Sequence, residues 1–109
     1  STDELQEIID DIKDSRIIII GGTESLGKSM ADTGLDVRQY PAETNIGTKD
    51  FGDYDCMVVI TKYVGHSSVE IAKNEAIKDG KPIVYFHGTN IRQICLKIHS
   101  EIVCGKQEV

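Results

Sequence analysis

An α/β fold with a short, mostly parallel four-stranded sheet is the class this sequence predicts, and three observations predict it. Apolar runs of strand length recur at 17–20, 56–61 and 82–86 without the alternation of a half-solvated strand. Segments with helical spacing stand between them. Glycine or proline punctuates the junctions.

Leu5, Ile8, Ile9 and Ile12 follow the i, i+3, i+4, i+7 spacing of an amphipathic helix within 1–14, capped by Ser1, Thr2 or Asp3. Its apolar stripe is expected to pack on the sheet or on a partner subunit. Arg16 leads into four consecutive isoleucines, Ile17 to Ile20, as a strand buried on both faces requires. Gly21-Gly22 stops that strand. Thr23 or Ser25 caps a helix running to about 33, with Gly34 as its stop. Residues 35–40 read as a second strand ended by Pro41, and 42–54, broken by Gly47 and Gly52, as loop. Residues 56–61 form a third buried strand. A helix over 66–79 buries Val69, Ile71 or Ala72, Ala76 and Ile77 and ends at Gly80; a fourth strand follows at 82–86. Ile91, Ile94, Cys95 and Ile98 mark the last helix, and 101–109 reads as a tail in which Ile102 and Val103 are candidates for packing. Alternating strands and helices predict right-handed crossovers, strand order 2-1-3-4, and one domain over 1–109.

The formal net charge of −6 argues against general binding to nucleic acid or an anionic membrane, where Lys and Arg supply most of the affinity. A local basic site is compatible with it. No apolar run approaches the ~18 residues of a membrane span, and no charged segment leads into an apolar one as in a signal peptide. Cys56, Cys95 and Cys104 are too few for a disulfide framework and match no zinc spacing, so a reducing, cytoplasmic setting is expected. The chain begins at Ser1 rather than Met, which leaves a trimmed chain or a piece of a longer protein open.

Parallel sheets bind ligands outside the carboxyl ends of their strands, where the strand order switches. Three loops are predicted to meet there: Gly21-Gly22-Thr23-Glu24-Ser25, the stretch from Thr61 to Ser68, and His87-Gly88-Thr89-Asn90. Each feeds a helix N-terminus, which offers N–H groups and partial positive charge to an anion. Lys28, Lys62 and Arg92 lie in or just after these loops. The candidate ligand-binding residues are therefore Gly21, Gly22, Thr23, Lys28, Thr61, Lys62, His66, Ser67 and Thr89. The plainer reading is that Gly, Ser and Thr are what strand-to-helix turns require.

Gly22 to Ser29 matches the phosphate-loop pattern G-x-x-x-x-G-K-S after a buried strand. In that chemistry amides wrap the phosphates, Lys28 reaches the outer ones and Ser29 binds Mg²⁺. Three features oppose it. A helix from Lys28 to Gly34 is under two turns. No apolar strand ends in an Asp for Mg²⁺, and the chain is small for the usual five-stranded core. A dinucleotide fingerprint is absent, and a receiver domain would need acidic residues where Gly21-Gly22 and Thr61-Lys62 stand.

Three segments carry a resemblance: Ile17 to Gly22, Val58 to Ser67, and Gly80-Lys81-Pro82-Ile83-Val84. Across 16–98 the chain resembles the bacterial domain-of-unknown-function family numbered twenty-three twenty-five, most specifically in Thr61-x-x-Val64-x-His66. Lys62 stands where that family tends to have Asp, Ser67 where it tends to have Asn, and His87-Gly88-Thr89-Asn90 replaces a Ser- and Arg-bearing loop. The resemblance implies a small Rossmann-like three-layer domain and no established activity.

His66 is either an acid–base group or anion contact at a helix start, or a structural residue tied to a neighbouring loop; the resemblance favours function. His66 and His87 without a third ligand do not make a metal pattern, and no cofactor is specified. Ser67 and Ser68 read as caps, Glu24 as a first-turn acid, and Cys56 and Cys95 as core. The function expected first is a non-enzymatic binding or regulatory domain for a small anionic ligand, phosphate- or nucleotide-like. The second is a protein-interaction or dimerisation module acting through the N-terminal helix. The third is a phosphate-loop hydrolase.

Overall fold

Ile17, Ile18, Ile19 and Ile20 are at most 1% exposed, because strand β1 (Arg16–Gly21) lies inside the sheet with a helical layer on each face. The computed structural model describes residues 2–42, 51–62 and 64–104, with the side chains of Thr2, Asp3, His66 and Cys104 outside that description. Its elements are α1 (Thr2–Ile12), β1, α2 (Glu24–Ala31), β2 (Asp36–Tyr40), β3 (Cys56–Ile60), α3 (His66–Asp79), β4 (Ile83–Phe86) and α4 (Ile91–His99), with a π-helical turn at Ser100–Cys104. The four strands are parallel in the order β2-β1-β3-β4. The fold is the predicted three-layer α/β domain.

Alternate side chains of the strands feed two cores. Ile17, Ile19, Val58, Ile60 and Val84 face Ile9 and Ile12 of α1, Leu26 and Met30 of α2, and Ile94, Cys95 and Ile98 of α4. Ile18, Ile20, Met57 and Val59 face Ala72 and Ala76 of α3. α2 and α3 fall on opposite faces because their right-handed crossovers step outward from the centre in opposite directions. α1 and α4 pack on the same face as α2, as their shared core shows.

Three local readings change. Residues 51–54, expected as loop, bury Phe51 and Tyr54 to 1% and 2% exposure. The connection from β2 to β3 must pass β1, and these rings cover the Ile18 and Ile20 face there, Phe51 lying edge-on to both Tyr40 and Tyr54. Ile77, expected on the buried face of α3, is 64% exposed. Ala72 and Ala76, four residues apart, set that face, and Ile77 lies about 100° round the helix from Ala76. The start of the expected tail is packed: the turn at Ser100–Cys104 prolongs α4 and buries Ile102. Residues 105–109 lie outside the described ones.

The stripe of α1 is covered within the chain. Ile9 and Ile12 are buried, and Leu5 and Ile8 half-buried, in the core shared with α4 and Ile102. Arg92 pairs with Glu4 at 3.2 Å, and His99 Nε2 lies 2.9 Å from Asp11 Oδ2, tying both ends of the helix pair. No described helix is long and apolar enough to cross a membrane.

Candidate functional site at the carboxyl edge

β1 ends at Gly21 and Gly22 follows it, with φ of 89° and 77°. That left-handed region strains any residue with a Cβ. The reversal lets α2 begin two residues later. Thr23 is its cap: the backbone is extended, and Oγ1 accepts the Leu26 N–H at 3.2 Å. The turn is pinned from β2 by Gln39, whose Nε2 donates to the carbonyls of Gly21 (3.2 Å) and Thr23 (2.6 Å). A Cβ on Gly27 would lie 2.6 Å from Gln39 Cδ and closer still to its Oε1, so position 27 needs glycine for room.

This geometry accounts for the phosphate-loop pattern. The residues between Gly22 and Gly27 are already helical from Glu24 onward, and the Gly27 N–H is bonded to the Thr23 carbonyl at 3.3 Å. The turn embraces a glutamine amide, and Lys28 and Ser29 stand on the body of the helix. No open loop of amides exists there to wrap a triphosphate.

The ends of β3 and β4 meet next to this turn. Thr61 N–H donates to Phe86 O at 3.0 Å, and Thr61 Oγ1 lies 3.3 Å from His87 Nδ1. After His87 and Gly88, Asn90 caps α4, its Oδ1 accepting the Gln93 N–H at 3.1 Å. α2 and α4 share a layer, so their starts flank an open groove of about 290 Å³ lined by Thr23, Ser25, Leu26, Ser29, Thr89 and Ile91. Four hydroxyls therefore line a trough with an aliphatic wall.

The expected site residues divide. Thr23 and Thr89 line the groove, and Gly21 and Gly22 form the turn behind Thr23. Thr61 meets His87 where β3 and β4 end, and neither lines the groove. Lys28, Lys62 and Ser67 are exposed and do not line the groove. His66 is the first residue of α3, and its side chain lies outside the described ones. The expectation missed Ser25 and Ser29 as lining residues. Their four-residue spacing, which puts both on one helix face, was the available signal. Gln39 left no signal, since a polar residue in an edge strand has many uses. Among the described residues, no group of three or more His, Cys, Asp or Glu could hold a metal ion.

The opposite edge of the sheet carries charges that serve the fold. Asp55 Oδ2 accepts the Arg16 N–H at 2.7 Å and also meets the Arg16 guanidinium at 3.4 Å. The backbone hydrogen bond, with that guanidinium and Lys81, holds the Asp55 carboxyl below its ordinary range against the opposing effect of burial. Tyr54 Oη donates to Asp79 Oδ2 at 2.8 Å; burial first, and then Asp79, push the phenol upward. Burial likewise pushes the Cys56 thiol up to about 12 and raises Cys95.

The chain matches, over residues 16–100, the family described as "Uncharacterized protein conserved in bacteria (DUF2325)", and it belongs to that family. No curated protein and no solved structure matches it.

Proposed function

We propose that this member of the bacterial family is a binding domain that holds a small anionic, phosphate-type ligand in the groove between the starts of α2 and α4. The observation that carries the reading is the groove's lining: hydroxyls of Thr23, Ser25, Ser29 and Thr89 gather where two capped helix N-termini open. The amides of Glu24, Ser25 and Ile91 precede the first intrahelical hydrogen bonds, so they can donate outward. Hydroxyls donate to phosphate oxygens as well, and the aligned peptide dipoles favour negative charge there. Lining side chains that are hydroxyl or aliphatic suit reversible binding rather than covalent chemistry. A cytoplasmic, reducing setting suits the buried Cys56 and Cys95 thiols.

The test is a thermal-shift titration with inorganic phosphate, sugar phosphates and nucleotides. Ligand at a hundred times its dissociation constant adds about 2.7 kcal/mol, and each kcal/mol moves the midpoint roughly 4–8 °C for a domain near this size. A phosphate-dependent shift, lost in Ser29→Leu and Thr89→Leu but kept in Ser67→Ala, is expected. No shift, or a shift unchanged in the filled-groove variants, rejects the reading.

A further inference from the structure

Strand β4 is an edge of the sheet, and its free side has a defined hydrogen-bonding face. Pro82 O accepts the Met57 N–H and Phe86 O accepts the Thr61 N–H, both at 3.0 Å. Both N–H and C=O of one strand residue point to the same side, and successive residues alternate. Residues 82, 84 and 86 thus face β3, and the backbone groups of Ile83 and Tyr85 face outward. The Tyr85 carbonyl confirms that direction, since Lys97 Nζ reaches it from outside at 3.4 Å.

The side chains add an apolar face. Ile83 and Tyr85 stand opposite Met57 and Val59 in the register and so project to the α3 side of the sheet. α3 packs mainly over β1 and β3. Tyr85 is accordingly 41% exposed, one of two large apolar residues at the surface among those described. On the other side of the sheet, a groove of about 420 Å³ runs between this edge and the end of α4, lined by Ile83, Val84, Tyr85, Lys97, Ser100 and Glu101.

We propose that this edge pairs with the β4 edge of a second copy of the chain, antiparallel about a two-fold axis at Val84. Two four-stranded sheets then become one. In this register Ile83 of each copy faces Tyr85 of the other. Both residues carry outward backbone groups, so each pair exchanges two N–H···O bonds, and each exposed Tyr85 ring lies across Ile83 of the other copy.

Charge complementarity selects a second copy as the occupant. Lys97 sits beside Tyr85, while Ser100 and Glu101, a turn further along, close the groove toward Ile83. Four helical residues rise about 6 Å, and two strand residues span about 6.6 Å. The axis at Val84 therefore exchanges the two positions, bringing Lys97 of each copy beside Glu101 of the other. Neither residue forms an ion pair among the described residues. In the pair, the Tyr85 carbonyl takes the Ile83 N–H of the second copy, and Lys97 turns from that carbonyl to Glu101. The interface is independent of the hydroxyl-lined groove at the carboxyl edge.

Sedimentation equilibrium of the 109-residue chain over micromolar to millimolar concentrations tests the proposal. A monomer–dimer equilibrium is expected. Lys97→Glu and Glu101→Lys each weaken it several-fold, and the double charge swap restores it. Tyr85→Pro removes an outward N–H without touching the β3 ladder, so it abolishes the dimer while circular dichroism stays unchanged. A monomer at every concentration overturns the proposal, and so does a dimer indifferent to both the single charge reversals and Tyr85→Pro.

Discussion

Gln39 occupies the space that a side chain at Gly27 would need. Its amide donates to the carbonyls of Gly21 and Thr23, and in that position Cδ lies 2.6 Å from where a Cβ on Gly27 would be. Gly27→Ala therefore has to expel a pinned amide and lose two hydrogen bonds, each worth roughly 1 kcal/mol. The helix-propensity gain of alanine returns about 1 kcal/mol of this. A net loss of about 1 kcal/mol is expected in urea denaturation. In a Gln39→Ala background the same change should cost almost nothing or stabilise. Equal costs in the two backgrounds would show that the two residues are uncoupled.

The caps that flank the groove should be separable from its ligand. Thr23→Ala removes the acceptor for the Leu26 N–H and should cost about 1 kcal/mol, while Thr23→Ser should cost little. Asn90→Ala, at the start of α4, should behave like Thr23→Ala. Chemical denaturation of the four proteins without ligand checks this.

Stability should fall toward both extremes of pH for different reasons. The Asp55 carboxyl is held low in the fold by the Arg16 N–H. Its contribution is present above the ordinary value near 3.8 and is lost as pH falls through the lower folded value. Because that carboxylate is a third exposed, the contribution is under about 1 kcal/mol. Asp55→Asn should flatten part of the acid limb.

Tyr54 has the opposite sign. Its phenol is raised above the ordinary value of 10 by burial and by Asp79. Its contribution is fully present below that value and is lost as pH climbs through the higher folded one. Tyr54→Phe should cost about 1 kcal/mol near neutral pH and should flatten the alkaline limb. A variant whose alkaline limb matches the parent's would remove Tyr54 from the account.

The thiols of Cys56 and Cys95 should be silent in the folded protein. Both are buried, and Cys56 is pushed up to about 12, so neither presents an accessible thiolate near neutral pH. In a Cys104→Ser background, a colorimetric disulfide reagent should titrate both only after denaturant is added. Rapid labelling of either thiol in buffer would contradict its placement in the core.

Ile102 tests whether the end of α4 belongs to the fold. It is 7% exposed and shares the core with α1 and α4. Ile102→Ala should cost roughly 2–4 kcal/mol, measured as a drop in the urea midpoint at constant slope. A loss under about 0.5 kcal/mol would return residues 101–104 to the status of a tail.

Local chemistry by itself determined the element order, the parallel sheet and the strand order. An unalternating Ile17–Ile20 run can be buried only between two layers, and Gly and Pro mark where each element stops. The family match likewise follows from sequence alone. Long-range packing decided the rest. That Phe51 and Tyr54 join the core follows from where β2 and β3 lie, which no local periodicity encodes. That α1 buries its stripe on α4 depends on a contact between residues about 90 positions apart in the chain, such as Glu4 with Arg92 and Asp11 with His99. The reason for Gly27 is Gln39, a side chain on a neighbouring strand. The groove exists because α2 and α4 pack on the same face of the sheet with their starts at its carboxyl edge, and only the assembled sheet brings Ser25 and Ser29 opposite Thr89.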